Sequence, residues 1–198
     1  MSETLKSLFA DVEEVWPSIL KHKIPSSIIE EIKKYVERTD EIRKHKLNFL
    51  LEHYNFGNNS YQVSVPYDCL EGSFLQAYLI YLGEWYRCKY ENLSFEQTRR
   101  SVRLRRHENH FDAYDCWINY VEKDAVNDWH FHAGNLSGVI YHTDCKSSAT
   151  HFENGFSYKG NPGDILIFPS PLRHSVDKHT SEESRITLAY NLYYLNAS

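Results

Sequence analysis

The sequence lacks the features that mark a membrane or secreted protein. No apolar run approaches the ~20 residues that a membrane-spanning helix needs. The first residues, from Met1 to Thr4, show neither the basic nor the apolar region of a signal peptide. The cysteines form no CxxC pair; they are Cys69, Cys88, Cys116 and Cys145. These absences predict a cytoplasmic protein with reduced thiols.

The sequence also lacks an excess of positive charge. It has 22 lysines and arginines against 27 acidic residues, a net charge of −5, which argues against general binding to nucleic acid or membranes. One arginine cluster, within residues 99–106, is interpreted as the solvated face of a helix. An apolar fraction of 41% is typical of a packed globular protein, and 198 residues suffice for one ample core. We therefore expect a single domain spanning residues 1–198.

Hydrophobic periodicity predicts mostly helices in the N-terminal part, residues 1–110. Helices are expected over about 27–36, 40–54, 72–86 and 94–106, with an extended segment over 15–25 and a strand over 61–65. The helix over 72–86 has a broad apolar face, which indicates packing on a sheet. The same face leaves a homodimer open. This region is expected to support the C-terminal half, residues 111–198, rather than to form a second domain.

A strand with two histidines opens the chemically informative part of the sequence. In Asp128-Trp129-His130-Phe131-His132, a period of two places Asp128, His130 and His132 on one face. Two imidazoles are thus presented side by side. This arrangement predicts a metal site that needs further ligands.

His174 is the natural third donor. It follows a turn at residues 161–164, an apolar strand at 165–168 and a Pro-Ser-Pro break. That strand carries the chain across the core to the metal site. A competing hypothesis keeps His130 and His174 and takes the carboxylate of Asp128 as the third ligand.

A later strand, residues 185–191, begins with an arginine. Alternation places Arg185, Thr187, Ala189 and Asn191 on one face. Such a small, polar face with a guanidinium at its end suits a carboxylate in a pocket.

In this order and spacing the motifs resemble one family. The motifs are Cys116-Trp117-Ile118-Asn119, His130-Phe131-His132, Leu136-Ser137-Gly138-Val139-Ile140-Tyr141, Gly163-Asp164-Ile165-Leu166-Ile167-Phe168-Pro169, His174-Ser175-Val176 and Arg185-Ile186-Thr187-Leu188-Ala189-Tyr190-Asn191. Over residues 111–198 they resemble the 2-oxoglutarate/iron(II) oxygenases of a bacterial and phage family.

The resemblance implies an α+β chain with a mainly β core, a double-stranded β-helix (jelly roll) with the N-terminal helices packed on one sheet. It implies Fe(II) and 2-oxoglutarate as cofactors. The activity would be that of a dioxygenase that hydroxylates an unidentified substrate and releases succinate and CO2. With strand parity, it assigns the metal to His130, His132 and His174, and 2-oxoglutarate to Asn119, Tyr141, Arg185 and Thr187.

One position departs from the wider superfamily, which uses His-X-Asp and a distant histidine. His132 stands at the Asp position, so three neutral imidazoles would leave the iron with one more positive charge. Two rival functions follow: a cupin-like metalloprotein and a non-catalytic β-helix binding module. Neither has a particular need for Arg185. Candidate residues of the substrate mouth are Tyr114, 146–150 and 153–159.

Overall fold

The computed structural model describes residue 7 and residues 9–50, 60–107 and 110–195, with only the backbone described for 44–50, 106–107 and 110–114. The helices are α1 (Ser26–Leu50), α2 (Tyr67–Leu70), α3 (Phe74–Tyr90) and α4 (Phe95–Thr98). The strands are β1 (Glu13–Trp16), β2 (Ile19–Lys23), β3 (Ser60–Pro66), β4 (Val102–Leu104), β5 (Arg106–His107), β6 (His110–Val121), β7 (Asn127–His130), β8 (Leu136–Tyr141), β9 (Thr150–Phe152), β10 (Ser157–Tyr158), β11 (Asp164–Pro169), β12 (His174–Val176) and β13 (Arg185–Tyr194).

The strands form two antiparallel sheets. The larger has the order β1-β2-β11-β8-β13-β6-β3, with β4 paired to β13 and β5 to β6. The smaller has the order β10-β9-β12-β7. Buried side chains from both sheets, including Phe152 of β9 and Phe168 of β11, pack against each other in one apolar cluster. The two sheets therefore form a sandwich, and the predicted α+β fold with a double-stranded β-helix is confirmed.

The two faces of the larger sheet have different partners, because successive side chains of a strand point to opposite faces. Along β13, Leu188, Tyr190 and Leu192 belong to a core shared with the helices. Thr187 and Ala189 line a cavity on the other face. The sheet thus isolates the cavity from the helices.

That shared core also joins the two halves of the chain. It contains Ile28 and Ile32 of α1 and Leu79 of α3 together with Ile140 and Leu188 of the sheet. β1, β2 and β3 moreover complete the larger sheet. These contacts support the proposal that residues 1–198 form a single domain. None of the helices among the described residues has the length and apolar character needed to span a membrane.

The prediction of two separate helices over 27–36 and 40–54 was wrong. One helix, α1, runs from Ser26 to Leu50; residues 51–54 lie outside the described part. The Thr39 hydroxyl, between the two predicted segments, donates to the carbonyls of Tyr35 and Val36 within the helix. It also hydrogen-bonds the Tyr120 hydroxyl at 2.8 Å, which ties α1 to β6. The helix over 72–86 is confirmed as α3.

The prediction of an arginine-rich helix over 94–106 was also wrong. The capping box of Ser94 and Gln97 is present, but α4 ends at Thr98. Arg100 then adopts φ 60°, which turns the chain, and β4 pairs with β13. In β4, Val102 and Leu104 are buried while Arg103 is exposed. This period of two is a strand pattern, so tertiary pairing prevailed over helix propensity.

Candidate metal and cosubstrate site

Two paired strands of the smaller sheet bring the predicted ligands together. β7 ends at His130 and β12 begins at His174, and these two residues face each other in the antiparallel register. His132 lies two residues beyond the end of β7. The neighbouring Trp129 and Phe131 point away and are 48% and 66% exposed. The alternation expected from the sequence therefore separates the histidines from the aromatic side chains.

The three imidazoles form a compact cluster. Ring centroids are 4.3 Å apart for His130 and His174, 5.0 Å for His130 and His132, and 5.0 Å for His132 and His174. One nitrogen from each ring lies within 4.8 Å of the other two. Among the described histidine, cysteine and acidic side chains, these three histidines are the group that lies close enough together to bind one metal ion.

Backbone carbonyls orient two of the rings. His130 Nδ1 lies 2.7 Å from the Asp128 carbonyl oxygen, and His174 Nδ1 lies 3.1 Å from the Leu172 carbonyl oxygen. A carbonyl only accepts, so in each ring Nδ1 carries the proton and Nε2 keeps a lone pair. This is the arrangement by which proteins fix the tautomer of a metal-binding histidine.

The alternative ligand Asp128 does not join the cluster. Its residue is exposed, and its carboxylate is not one of the groups within 4.8 Å of one another. Its backbone carbonyl instead holds His130. The geometry favours three imidazoles over two imidazoles and a carboxylate.

The fold keeps the imidazoles of His132 and His174 neutral. Burial, followed by repulsion from His174 and His130, lowers the pKa of His132 to about 3. Burial and His130 likewise lower the pKa of His174 to about 4. Neutral imidazole is the form that binds a metal ion. Both rings are therefore ready to act as ligands at neutral pH.

These pKa shifts predict that the metal-free protein is less stable in acid. An unfolded histidine takes up a proton near pH 6.5, whereas His132 and His174 resist protonation while folded. The contribution of these two histidines to the free energy of unfolding is therefore complete above pH 6.5 and is lost as the pH drops toward about 4. Between pH 7 and pH 5 we expect a loss of about 2–4 kcal/mol beyond that from other groups. Urea unfolding with a chelator present measures it.

The control for this prediction is a double variant, His132→Asn with His174→Gln, which removes both titrating rings. It should lose at least half of the dependence on pH between 7 and 5. An unchanged pH dependence would show that the two rings are not held neutral by the fold.

The histidines stand in a cavity of about 500 Å³, its open mouth included. Its described lining contains no acidic side chain; Arg185 is its one permanently charged group. The apolar part of the wall comprises Val121, Val139, Phe168, Val176 and Ala189. A bound ligand would thus meet apolar side chains, amide and hydroxyl groups, three imidazoles and one guanidinium.

Arg185 is buried without a carboxylate partner in the described part of the chain. It begins β13, is 2% exposed, and donates from Nη2 to the Thr150 hydroxyl at 3.1 Å. Its Nε is buried and has no hydrogen-bond partner, and no ion pair joins it to a described carboxylate. Its guanidinium lies 5.6 Å from the centroid of the Tyr141 ring. A buried guanidinium is costly unless it is paired, so the site calls for a carboxylate from a ligand.

The other predicted cosubstrate residues divide into two groups. Asn119 and Thr187 are register partners on β6 and β13, line the cavity, and share a hydrogen bond of 3.3 Å. Tyr141 is fully buried behind the lining, and its hydroxyl lies 3.0 Å from the Thr150 hydroxyl. Tyr141 therefore reaches the cavity through Thr150.

Thr150 is the main residue whose role sequence reasoning missed. It was placed among the mouth candidates, yet it is buried and links Arg185 to Tyr141. It is also the one described member of the candidate ranges 146–150 and 153–159 that lines the cavity; the side chain of Tyr114 lies outside the described part. The strand pairing of β9 with β12 places it there, and no sequence pattern indicates that pairing.

Trp117 and Gln62 were missed as well. Trp117 lies 5.4 Å from His132 between ring centroids and donates from Nε1 to Asn119 Oδ1 at 3.0 Å. Its spacing of two from Asn119 could have indicated the shared face. Gln62 lines the cavity because β3 pairs with β6 opposite Asn119.

Comparison with known proteins agrees with this arrangement. Residues 142–191, which include His174, Arg185 and Thr187, match the family model described as "Putative 2OG-Fe(II) oxygenase". None of the curated proteins is significantly similar to the sequence.

Several solved structures share the fold. HygX from Streptomyces hygroscopicus, solved with nickel and 2-oxoglutarate bound, has a TM-score of 0.53 at 11% identity, over 100% of this chain and 89% of its own. A prolyl-4-hydroxylase from Pseudomonas putida has 0.52 at 11%, over 96% and 98%. The non-haem α-ketoglutarate-dependent carbocyclase SnoK from nogalamycin biosynthesis has 0.56 at 10%, over 98% and 84%. At these identities the similarity establishes the fold.

The resemblance to the 2-oxoglutarate/iron(II) oxygenases is confirmed: residues 142–191 match the model of such a family, and solved structures of 2-oxoglutarate-dependent enzymes share the fold over nearly the full length of the chain.

Proposed function

We propose that this protein is a non-haem Fe(II)- and 2-oxoglutarate-dependent dioxygenase. His130, His132 and His174 would hold the metal, and Arg185 would hold the far carboxylate of 2-oxoglutarate. The observation that carries the proposal is the buried Arg185, which has no carboxylate partner in the described part of the chain and lies in the same cavity as three clustered imidazoles.

The residues fit a metal ion of this kind. Imidazole nitrogen is a suitable donor for iron, nickel, copper and zinc. Three protein ligands leave open positions for a cosubstrate and O2 in a six-coordinate ion. The orienting carbonyls of Asp128 and Leu172 hold two of the rings before any metal arrives. That preorganisation supports a metal site rather than three incidental histidines.

The polar side chains fit a dicarboxylic cosubstrate. Arg185 can offer its unpaired Nε–H and a second N–H as a fork to one carboxylate. Thr150 and Thr187 stand beside it to add hydroxyl donors, while Tyr141 braces Thr150 from behind. Asn119 is fixed by Trp117 and can contact the cosubstrate along its length.

When bound, Fe(II) and 2-oxoglutarate supply the chemistry: one oxygen atom of O2 enters succinate as CO2 is released, and the other hydroxylates the substrate. The chain contributes binding and orientation. Phe168, Val139 and Val176 line the cavity with apolar groups, which would limit water around the bound cosubstrate. The neutral state of His132 and His174 leaves their lone pairs for the metal.

The two rival functions account less well for Arg185. A cupin-like metalloprotein or a non-catalytic module could keep the three imidazoles. In neither does a buried guanidinium have a partner to bind, and an uncompensated buried charge lowers stability.

We also propose a cytoplasmic location, where Fe(II) and the free thiols stay reduced.

Turnover of 2-oxoglutarate tests the proposal. Purified protein with Fe(II), ascorbate, O2 and 2-oxoglutarate should form succinate, slowly without a substrate and faster with a correct one. Arg185→Met should form succinate at least about tenfold more slowly at the same low 2-oxoglutarate concentration. Succinate at the no-protein rate, with iron bound, would contradict the proposed activity.

A further inference from the structure

The charge of the cavity is unbalanced once the proposed ligands are counted. Fe(II) contributes two positive charges and Arg185 one, whereas 2-oxoglutarate contributes two negative charges. A protein carboxylate on the metal would cancel the remaining positive charge, but the ligands here are neutral imidazoles. The described lining holds no acidic side chain that could take its place.

Nearby carboxylates do not make up the difference. Asp128 is exposed to solvent, where water screens its charge. The Asp177 side chain is half exposed and is screened in the same way, and Asp164 pairs with Lys23 at 3.1 Å. None of the three supplies the missing negative charge, so the cavity keeps its net positive charge.

Two amide side chains in the lining are free to bind a further group. Gln62 on β3 and Asn127 on β7 both line the cavity. Within the described part of the chain neither side chain has a hydrogen-bond partner, in contrast to Asn119, which bonds Trp117 and Thr187. Their N–H groups could donate to an oxyanion on a ligand.

We propose that the prime substrate is a small molecule with a carboxylate or phosphate group, which the Gln62 and Asn127 amides bind close to the metal. This inference rests on the proposed function. The substitution of His132 for the usual Asp creates the positive charge that selects such a substrate. A neutral substrate of the same shape would leave that charge uncompensated.

The test compares an anion with its neutral isostere. Protein loaded with Zn(II), an oxygen-inert stand-in, and saturated with 2-oxoglutarate is titrated with formate and with formamide, using ligand-observed NMR. We expect formate to bind at least about tenfold more tightly than formamide. The attraction between formate and one unbalanced positive charge in the cavity should exceed the 1.4 kcal/mol that a factor of ten in affinity represents. Equal affinities in the wild type would overturn the inference.

Two isosteric variants separate charge from shape. His132→Asn, measured with excess Zn(II), leaves the net charge of the site unchanged and should keep the preference for formate. His132→Asp adds a negative charge in the same volume and should bring the two affinities within about twofold. A preference retained in His132→Asp would also overturn the inference. Metal content and saturation with 2-oxoglutarate are verified for each variant.

Variants of Gln62 and Asn127 test the role of the two amides separately. Gln62→Leu and Asn127→Leu should each weaken formate binding about threefold or more, while formamide binding changes less. Unchanged formate affinity in both would remove the amides from the proposal. Failure of the proposed function itself would look different, because 2-oxoglutarate would then not bind to the metal-loaded protein at all.

Discussion

Replacing Arg185 with methionine is expected to weaken 2-oxoglutarate binding by about a hundredfold or more. Methionine has a similar length but no charge and no donor. The ligand carboxylate would then be buried without its partner, a loss of about 2–5 kcal/mol when one member of a buried charge pair is removed. Anaerobic titration of the Fe(II)-loaded variant measures the affinity. An affinity within threefold of the wild type would show that Arg185 does not bind the cosubstrate.

The same variant should not lose stability in the absence of ligand. Arg185 is 2% exposed, has an unsatisfied Nε and lacks a described carboxylate partner. Removing its buried charge should leave the free energy of unfolding unchanged or raise it by about 1–3 kcal/mol. Arg103→Met is the matched control, because Arg103 is exposed on β4 and should affect neither quantity. A strongly destabilised Arg185→Met would instead indicate a structural role.

Replacing His174 with alanine should abolish tight metal binding. Loss of a group that merely orients a ligand typically costs 10–100-fold in metal affinity, so loss of one ligand out of three should exceed about a hundredfold. His174 also stands at the centre of the cluster, between the rings of His130 and Phe168. Metal content after dialysis and competition with a chelator give the affinity.

Two controls locate the effect. His151→Ala removes a histidine from the adjacent strand, where His151 pairs with Asp177 rather than with the cluster; it should retain the metal. Asp128→Asn should retain the metal too if three imidazoles bind it. Loss of metal in Asp128→Asn would revive the competing triad of His130, His174 and Asp128.

Local alternation made much of the site predictable. His130 and His132 differ by two residues, so strand parity alone placed them on the same side. His174 could be joined to them because an apolar strand and a Pro-Ser-Pro break fixed where the chain emerges. Arg185 and Thr187 followed from the same parity on the last strand.

Pairing between distant strands supplied what the sequence could not. Thr150 meets Arg185, 35 residues away, because β9 joins β12, and Gln62 enters the cavity because β3 joins β6. The residue pattern of β9 or of β3 does not indicate which strand it pairs with. The arginine segment followed by β4 was misassigned for a related reason: pairing with β13 decided its conformation, against its helical propensity.

The central claim is that one cavity holds both the metal on three histidines and 2-oxoglutarate on Arg185. Its most direct test is an anaerobic titration of the Fe(II)-loaded protein with 2-oxoglutarate, monitored by the visible metal-to-ligand charge-transfer absorption. We predict an absorption band that saturates in the wild type, requires about a hundredfold more 2-oxoglutarate in Arg185→Met, and is absent in His174→Ala. Absence of the band in wild-type protein that demonstrably contains iron would contradict the account.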